Sequence, residues 1–186
     1  CPTITVTCTG NDVNSNDTAP EIGITGTPVI AAATGTLYVV AATKENGSYV
    51  QRLHALDIST GSEKFGGPVI MQATVPGVGD GSHNVGGVAS ITFDPLRENQ
   101  RPALLLNGGR IYIAYGSFEN NDPFHGWLLA YNGTTLAQVA AFNSTPNGSR
   151  GGMSGGGAAA AADASGNIFV ATGNGIFNSA PNSNGF

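Results

Sequence analysis

Charge is scarce in this sequence. Charged residues make up 10% of its 186 residues, and the seven Lys and Arg are scattered along the chain. Binding to a phosphate backbone needs clustered basic side chains, so nucleic acid is not an expected partner. Glu, Lys, Arg and Gln also fill the exposed faces of helices, and their scarcity argues against a helical fold. The apolar runs are too short for a membrane-spanning helix. Cysteine occurs twice, as Cys1 and Cys8. Three readings stand for it: a mutual disulfide, which implies an oxidising compartment; two thiols that are free or pair elsewhere; or a lipid-bearing Cys1. The sequence carries no recognisable leader, and any export signal is expected to lie outside it.

Glycine, by contrast, is abundant, with 28 residues, and the chain punctuates short β-rich runs with Asn-Gly and Gly-rich turns. That pattern points to an all-β fold. Residues 1–24 hold a short alternating strand (Ile4-Thr5-Val6) and a polar loop from Asn11 to Thr18. Residues 25–72 read as strands separated by turns at Ala33-Thr34-Gly35, Asn46-Gly47 and Ser59-Thr60-Gly61, with Pro68 marking an edge strand. Residues 73–100 are rich in Gly, Val and Asp without a period, and are expected to be a functional or mobile insertion. The strand pattern resumes over residues 101–146. Residues 147–186 hold a Gly-rich loop and a further half-unit.

Three segments align without gaps: TGTLYVVAA (34–42), GGRIYIAYG (108–116) and SGNIFVATG (165–173). Each has Gly second, an aromatic fifth and Val or Ile sixth. The following strand aligns too: His54-Ala55-Leu56-Asp57 matches Leu129-Ala130-Tyr131-Asn132, with 17 residues from Tyr38 to Ala55 and 18 from Tyr112 to Ala130. Each full unit is therefore predicted to be a meander of four short strands, and repeated units of this kind suggest a β-propeller. The chain holds about two full blades plus partial ones, whereas propellers close with about four to eight. Its open edges are expected to be completed by the remaining blades of a longer chain or by neighbouring subunits.

Residues 52–65 carry a more specific signal. Ala55-x-Asp57-x-x-Thr60-Gly61-x-x-x-Phe65 resembles the tryptophan-docking repeat of quinoprotein (PQQ-like) β-propellers, Ala-x-Asp-x-x-Thr-Gly-x-x-x-Trp. In that repeat Asp and Thr tie the turn, Gly permits it, and the aromatic docks on a neighbouring blade. Phe65 stands in the Trp place. A second copy keeps Ala130, Asn132 and Thr135 but has Leu136 for Gly and Ala140 for Trp, and is expected to dock less tightly. The wider stretch from Pro20 to Gly175 is similar to secreted bacterial and fungal PQQ-like repeat proteins, through Glu21 to Pro28, Phe93 to Arg97, His125-Gly126-Trp127, Phe142 to Gly148 and Ala171 to Gly175. The resemblance implies an extracellular location, or a periplasmic one in a bacterium.

Relatives in this superfamily that are dehydrogenases use PQQ and Ca²⁺, and many carry two adjacent cysteines at the cofactor. This sequence has no adjacent cysteine pair and no acidic cluster with evident Ca²⁺ spacing. The first expectation is thus a non-catalytic scaffold or binding module, with a carbohydrate or protein ligand. The alternatives are a fragment of a PQQ-dependent dehydrogenase and a subunit of an extracellular assembly. Candidate binding-loop residues are Arg97, Arg101, His125 and Trp127. For His125 the plainer reading is a structural loop held by the ring of Trp127, and for the arginines a loop in which Glu98 pairs with them. Asp80 and Asp94 read as solvated carboxylates, His54 as a strand residue and His83 as part of the insertion. Gly152-Met153-Ser154-Gly155-Gly156 matches a nucleophile elbow in letters, but no strand is predicted to lead into it, so it reads as an inter-blade connection. Sequons occur at Asn16, Asn46, Asn132, Asn143 and Asn147, all expected in loops that could carry glycans in a secreted protein.

Overall fold

Side-chain alternation along extended backbone decides most of this chain. The computed structural model describes residues 5–15, 18 and 20–176, and its regular structure is almost entirely antiparallel strand. β1 (Thr5–Thr9) runs into a one-turn helix, α1 (Gly10–Val13), and is followed by β2 (Glu21–Ile22), β3 (Val29–Ala31), β4 (Thr36–Glu45), β5 (Ser48–Asp57) and β6 (Val69–Ile70). β3 to β6 each pair with the next and form the expected four-stranded meander. β1 pairs with the far half of β4, and β2 with β1. The β4–β5 hairpin turns on Asn46 and Gly47, whose φ values of 50° and 86° suit the turn that matches strand twist. β6 follows Pro68 directly and lies at the sheet edge, where a missing N–H is tolerated.

The polar run after Thr9 departs from the loop reading. Thr9 and Asp12 form a reciprocal capping box that starts α1. Asp12 also accepts hydrogen bonds from Lys44 Nζ and Tyr49 Oη, each at 2.8 Å. Residues 73–100 are not an aperiodic insertion either. β7 (Thr74–Pro76), β8 (His83–Val85) and β9 (Val88–Thr92) form a small sheet in the order β7-β9-β8, turning on Gly86 and Gly87 at φ 59° and 90°. Glycines at close backbone contacts hid its alternation: a Cβ on Gly77 would lie 2.1 Å from the Pro146 carbonyl oxygen.

A second sheet then repeats the first. β10 (Glu98–Asn99), β11 (Leu105–Asn107), β12 (Arg110–Ser117), β13 (Trp127–Asn132) and β14 (Gln138–Asn143) follow in order, with β11 to β14 a meander. β10 does for β12 what β1 does for β4, pairing with its far half. The registers agree with the sequence alignment: Tyr38 lies opposite Ala55, and Tyr112 opposite Ala130. A third unit begins with β15 (Arg150–Gly152), β16 (Ala161–Ala162), β17 (Ile168–Phe169) and β18 (Gly173–Gly175). There β16 pairs with β17 and β15 with β18, so the long second strand is present in two pieces.

The two meanders stack in one direction. Tyr38, Val40, Leu53 and Ala55 on one face of the first sheet share a core with Ile111, Ile113, Tyr115, Trp127, Leu129 and Tyr131 of the second. The positions in the second sheet that match Tyr38 and Val40 are Tyr112 and Ala114, and alternation places these on its other face. The contact is therefore heterologous: each unit turns one face to the unit behind and the opposite face to the unit ahead. The first strands β3 and β11 lie side by side. The Leu104 N–H donates to the Thr27 carbonyl at 3.0 Å, and Tyr38 Oη donates to the Gly133 carbonyl at 2.6 Å. The sheets remain open at their edges among the described residues.

Candidate functional site

The two docking turns are built alike, bond for bond. Asp57 Oδ1 accepts from Ser59 N–H, Ser59 Oγ and Thr60 N–H, and Asn132 Oδ1 accepts from Thr134 N–H, Thr134 Oγ1 and Thr135 N–H. Thr60 Oγ1 accepts from Ser62 N–H as Thr135 Oγ1 accepts from Ala137 N–H. Gly61 has φ 72°, and Leu136 takes the same left-handed conformation at φ 54° despite its side chain. That conformation turns Leu136 into the core, where it is 2% exposed. The second turn thus packs into the shared core through Leu136. Ala55 is fully buried, whereas Phe65 is only half-buried, packing on the same core with Lys64 Nζ 5.5 Å from its ring centre. Asp57 is held below the ordinary carboxylate range, chiefly by its bonds from Ser59.

A cleft lies where the second unit departs from the first. The first unit joins its two long strands by Asn46-Gly47, whereas the second uses residues 118–126; its own β7–β9 sheet is also extra. These two additions meet around a cleft of about 330 Å³ lined by Asp80, His83, Ile91, Phe93, Asp94, Glu98, Pro123 and His125, among others. His125 clamps them. Its Nε2 meets the Asp80 carbonyl oxygen at 2.8 Å, its Nδ1 meets Thr145 Oγ1 at 2.9 Å, and its N–H donates to Glu98 Oε1 at 3.0 Å. The Asp80 N–H donates in turn to the Gly148 carbonyl at 2.8 Å.

Glu98 forms the buried side of the cleft. It is 2% exposed, and its Oε2 has no hydrogen-bond partner. Burial holds its carboxyl well above the ordinary range, and the nearby Asp94 charge adds to this; the His125 N–H opposes it, as does the Trp127 indole, without meeting hydrogen-bond geometry. Gln51 Nε2, from the first sheet, donates to the Glu98 carbonyl at 2.6 Å, so both sheets grip this strand. Trp127 is fully buried and stands edge-on to Phe93 at 6.1 Å.

Of the candidate binding-loop residues, the structure brings His125 and Trp127 together beside Glu98, and neither arginine lines the cleft. Neither Arg97 nor Arg101 makes an ion pair among the described residues, so Glu98 is not their partner as the loop reading had it. Arg101 lines a separate polar cleft with Asn99 and Ser117. His54 pairs with Glu63 at 2.6 Å. A strand, β15, does lead toward Ser154, but the Gly-rich stretch packs on the second sheet through the Met153 N–H and the Tyr115 carbonyl at 2.9 Å, as an inter-unit connection. Asn46 and Asn147 are exposed and Asn132 is half-buried. Asn143 is 5% exposed, its Nδ2 out of reach of solvent, and this leaves no room for a glycan there in the folded chain. Asn16 and Cys1 lie outside the described residues; Cys8 is a buried free thiol, raised by burial. Glu98 escaped sequence reasoning because Arg97-Glu98-Asn99-Gln100-Arg101 has the composition of a solvated loop.

Among the described residues, no three His, Cys, Asp or Glu side chains are gathered so as to hold a metal ion. Comparison with family models, with curated proteins and with solved structures finds no match for this chain.

Proposed function

We propose that this chain is part of a secreted β-propeller that serves as a non-catalytic scaffold and binding module, with the Glu98–His125 cleft as its ligand site. The observation that carries the reading is the one-way stacking of equivalent four-stranded units. A heterologous contact of this kind leaves each end ready for another unit, and it closes only as a ring. The cleft supports the binding role, because it is made by the two segments that break the repeat, and binding residues concentrate on such connections over a rigid scaffold. The likeness of residues 52–65 to PQQ-like repeats supports the family, and fold alone gives no activity.

Electron microscopy of the native polypeptide tests the architecture. A ring of radially arranged sheets is the expected image; an isolated two-sheet sandwich would overturn it. The catalytic alternative is tested by adding PQQ and Ca²⁺ to the native protein and assaying dye-linked oxidation of alcohols and sugars. No turnover is expected, and turnover would replace the scaffold reading by a quinoprotein dehydrogenase.

A further inference from the structure

We propose that the cleft between the β7–β9 sheet and the connection before β13 binds a small organic cation, a protonated amine on a short apolar stem. The inference deepens the binding-module reading and rests on it. Three carboxyl groups line the cleft, Asp80, Asp94 and Glu98, and no Lys or Arg does. Asp80 and Asp94 are exposed at the rim, and neither takes part in an ion pair among the described residues. Asp94 uses Oδ1 to accept the Leu96 N–H. The Arg150 guanidinium that feels the Asp80 charge is already held by Asp122. Glu98 supplies the independent observation: a carboxyl 2% exposed, lining the cleft, with one oxygen bonded by His125 and the other bare.

The two rim carboxylates, Asp80 and Asp94, have no ion-pair partner and favour a cation, and the unpaired Glu98 oxygen offers it an acceptor. The walls favour one with an apolar part, since Ile91, Phe93, Pro95 and Pro123 make up the non-polar lining. Binding pockets of this kind combine an apolar lining with a few placed polar groups.

The test uses butylammonium as the probe, with n-butanol as its neutral isostere and glucose as a polyol, against the full chain at low salt. Trp127 is the sequence's one tryptophan and is buried against the cleft wall at Phe93, so its emission reports occupancy; calorimetry gives an independent isotherm. Butylammonium is expected to bind saturably and to weaken as salt is raised. Asp80→Asn and Asp94→Asn are each expected to weaken it about tenfold or more, the loss that goes with a charged hydrogen-bond partner. Glu21→Gln, an exposed acid on another sheet, is expected to leave binding unchanged. Equal binding of butanol, or wild-type affinity in both Asn variants, would overturn the proposal. Butanol or glucose binding where butylammonium does not would overturn the cation and leave the binding module standing. No saturable signal from any of the three would overturn both.

Discussion

Burial disfavours the charged form of Glu98 more than the His125 N–H favours it, and this holds its carboxyl above the ordinary range. The consequence for stability has a definite sign. Below about pH 4.3, the ordinary Glu value, folded and unfolded chains are both protonated at this group. Above it the unfolded chain ionises while the folded chain does not, so stability falls as pH rises until the folded pKa is reached. Asp12 and Asp122 act in the opposite sense: their hydrogen bonds to Lys44 and Arg150 hold both carboxyls low, so their stabilisation is lost as pH falls below the ordinary Asp range. The wild-type profile mixes these effects, and the difference between wild type and Glu98→Gln isolates the buried carboxyl. The urea midpoint of Glu98→Gln relative to wild type should climb from pH 4 towards pH 8. A difference that stays flat with pH would mean that Glu98 titrates normally in the fold.

At the scale of elements, the two docking turns make a controlled comparison. Their hydrogen bonds match, and their docking side chains do not. Leu136 is 2% exposed and Phe65 half-buried, so truncation should cost more at the leucine. Leu136→Ala is expected to lower the unfolding free energy by about 2–4 kcal/mol. Phe65→Ala, whose ring leaves part of its surface in water, is expected to cost less than this, about 1–2 kcal/mol. Denaturant unfolding at neutral pH measures both, and the reverse order would return the docking role to the aromatic. The Asp57 and Asn132 turns were legible in the sequence because side chains there bond to backbone only two or three residues away. The register was legible for a similar reason: an aromatic and an alanine recur at fixed spacing, and a slip by one would turn every core side chain to the wrong face. The β7–β9 sheet and the burial of Glu98 depend on contacts with the 118–126 connection and with Gln51, far off in sequence, and no local pattern announces them. Gly86-Gly87 was a readable hairpin signal, masked by the glycines around it. The cleft was half legible: His125 and Trp127 were singled out, and the arginines read alongside them do not line it.

At the scale of the whole molecule, the outer face of the first sheet asks for a cover. Ile30, Ile58 and Ile70 are 53%, 56% and 46% exposed, and Leu37, Val39 and Leu56 lie between them on the same side. The residues of the second sheet that match Leu37, Val39 and Leu56 show what such a face does when covered: Ile111 and Ile113 are 0% exposed and Tyr131 2% exposed beneath the first sheet. Even the backbone repeats, since the Ile58 N–H donates to the Gly35 carbonyl at 3.0 Å as the Gly133 N–H donates to the Gly109 carbonyl at 2.8 Å. If a further unit sits on this face in the native protein, an acid placed there must be buried without a partner. Ile30→Asp is then expected to destabilise the native polypeptide by more than about 2 kcal/mol, and Ile58→Asp likewise. Val85→Asp serves as the reference, because Val85 is 43% exposed on the β8–β9 hairpin, in a separate three-stranded sheet. It is expected to change stability by less than about 0.5 kcal/mol. Thermal or denaturant unfolding of the three variants reads the result directly. Equal, small effects at all three positions would mean that the isoleucine face meets water in the native protein, and that the stack of units ends where the first sheet does.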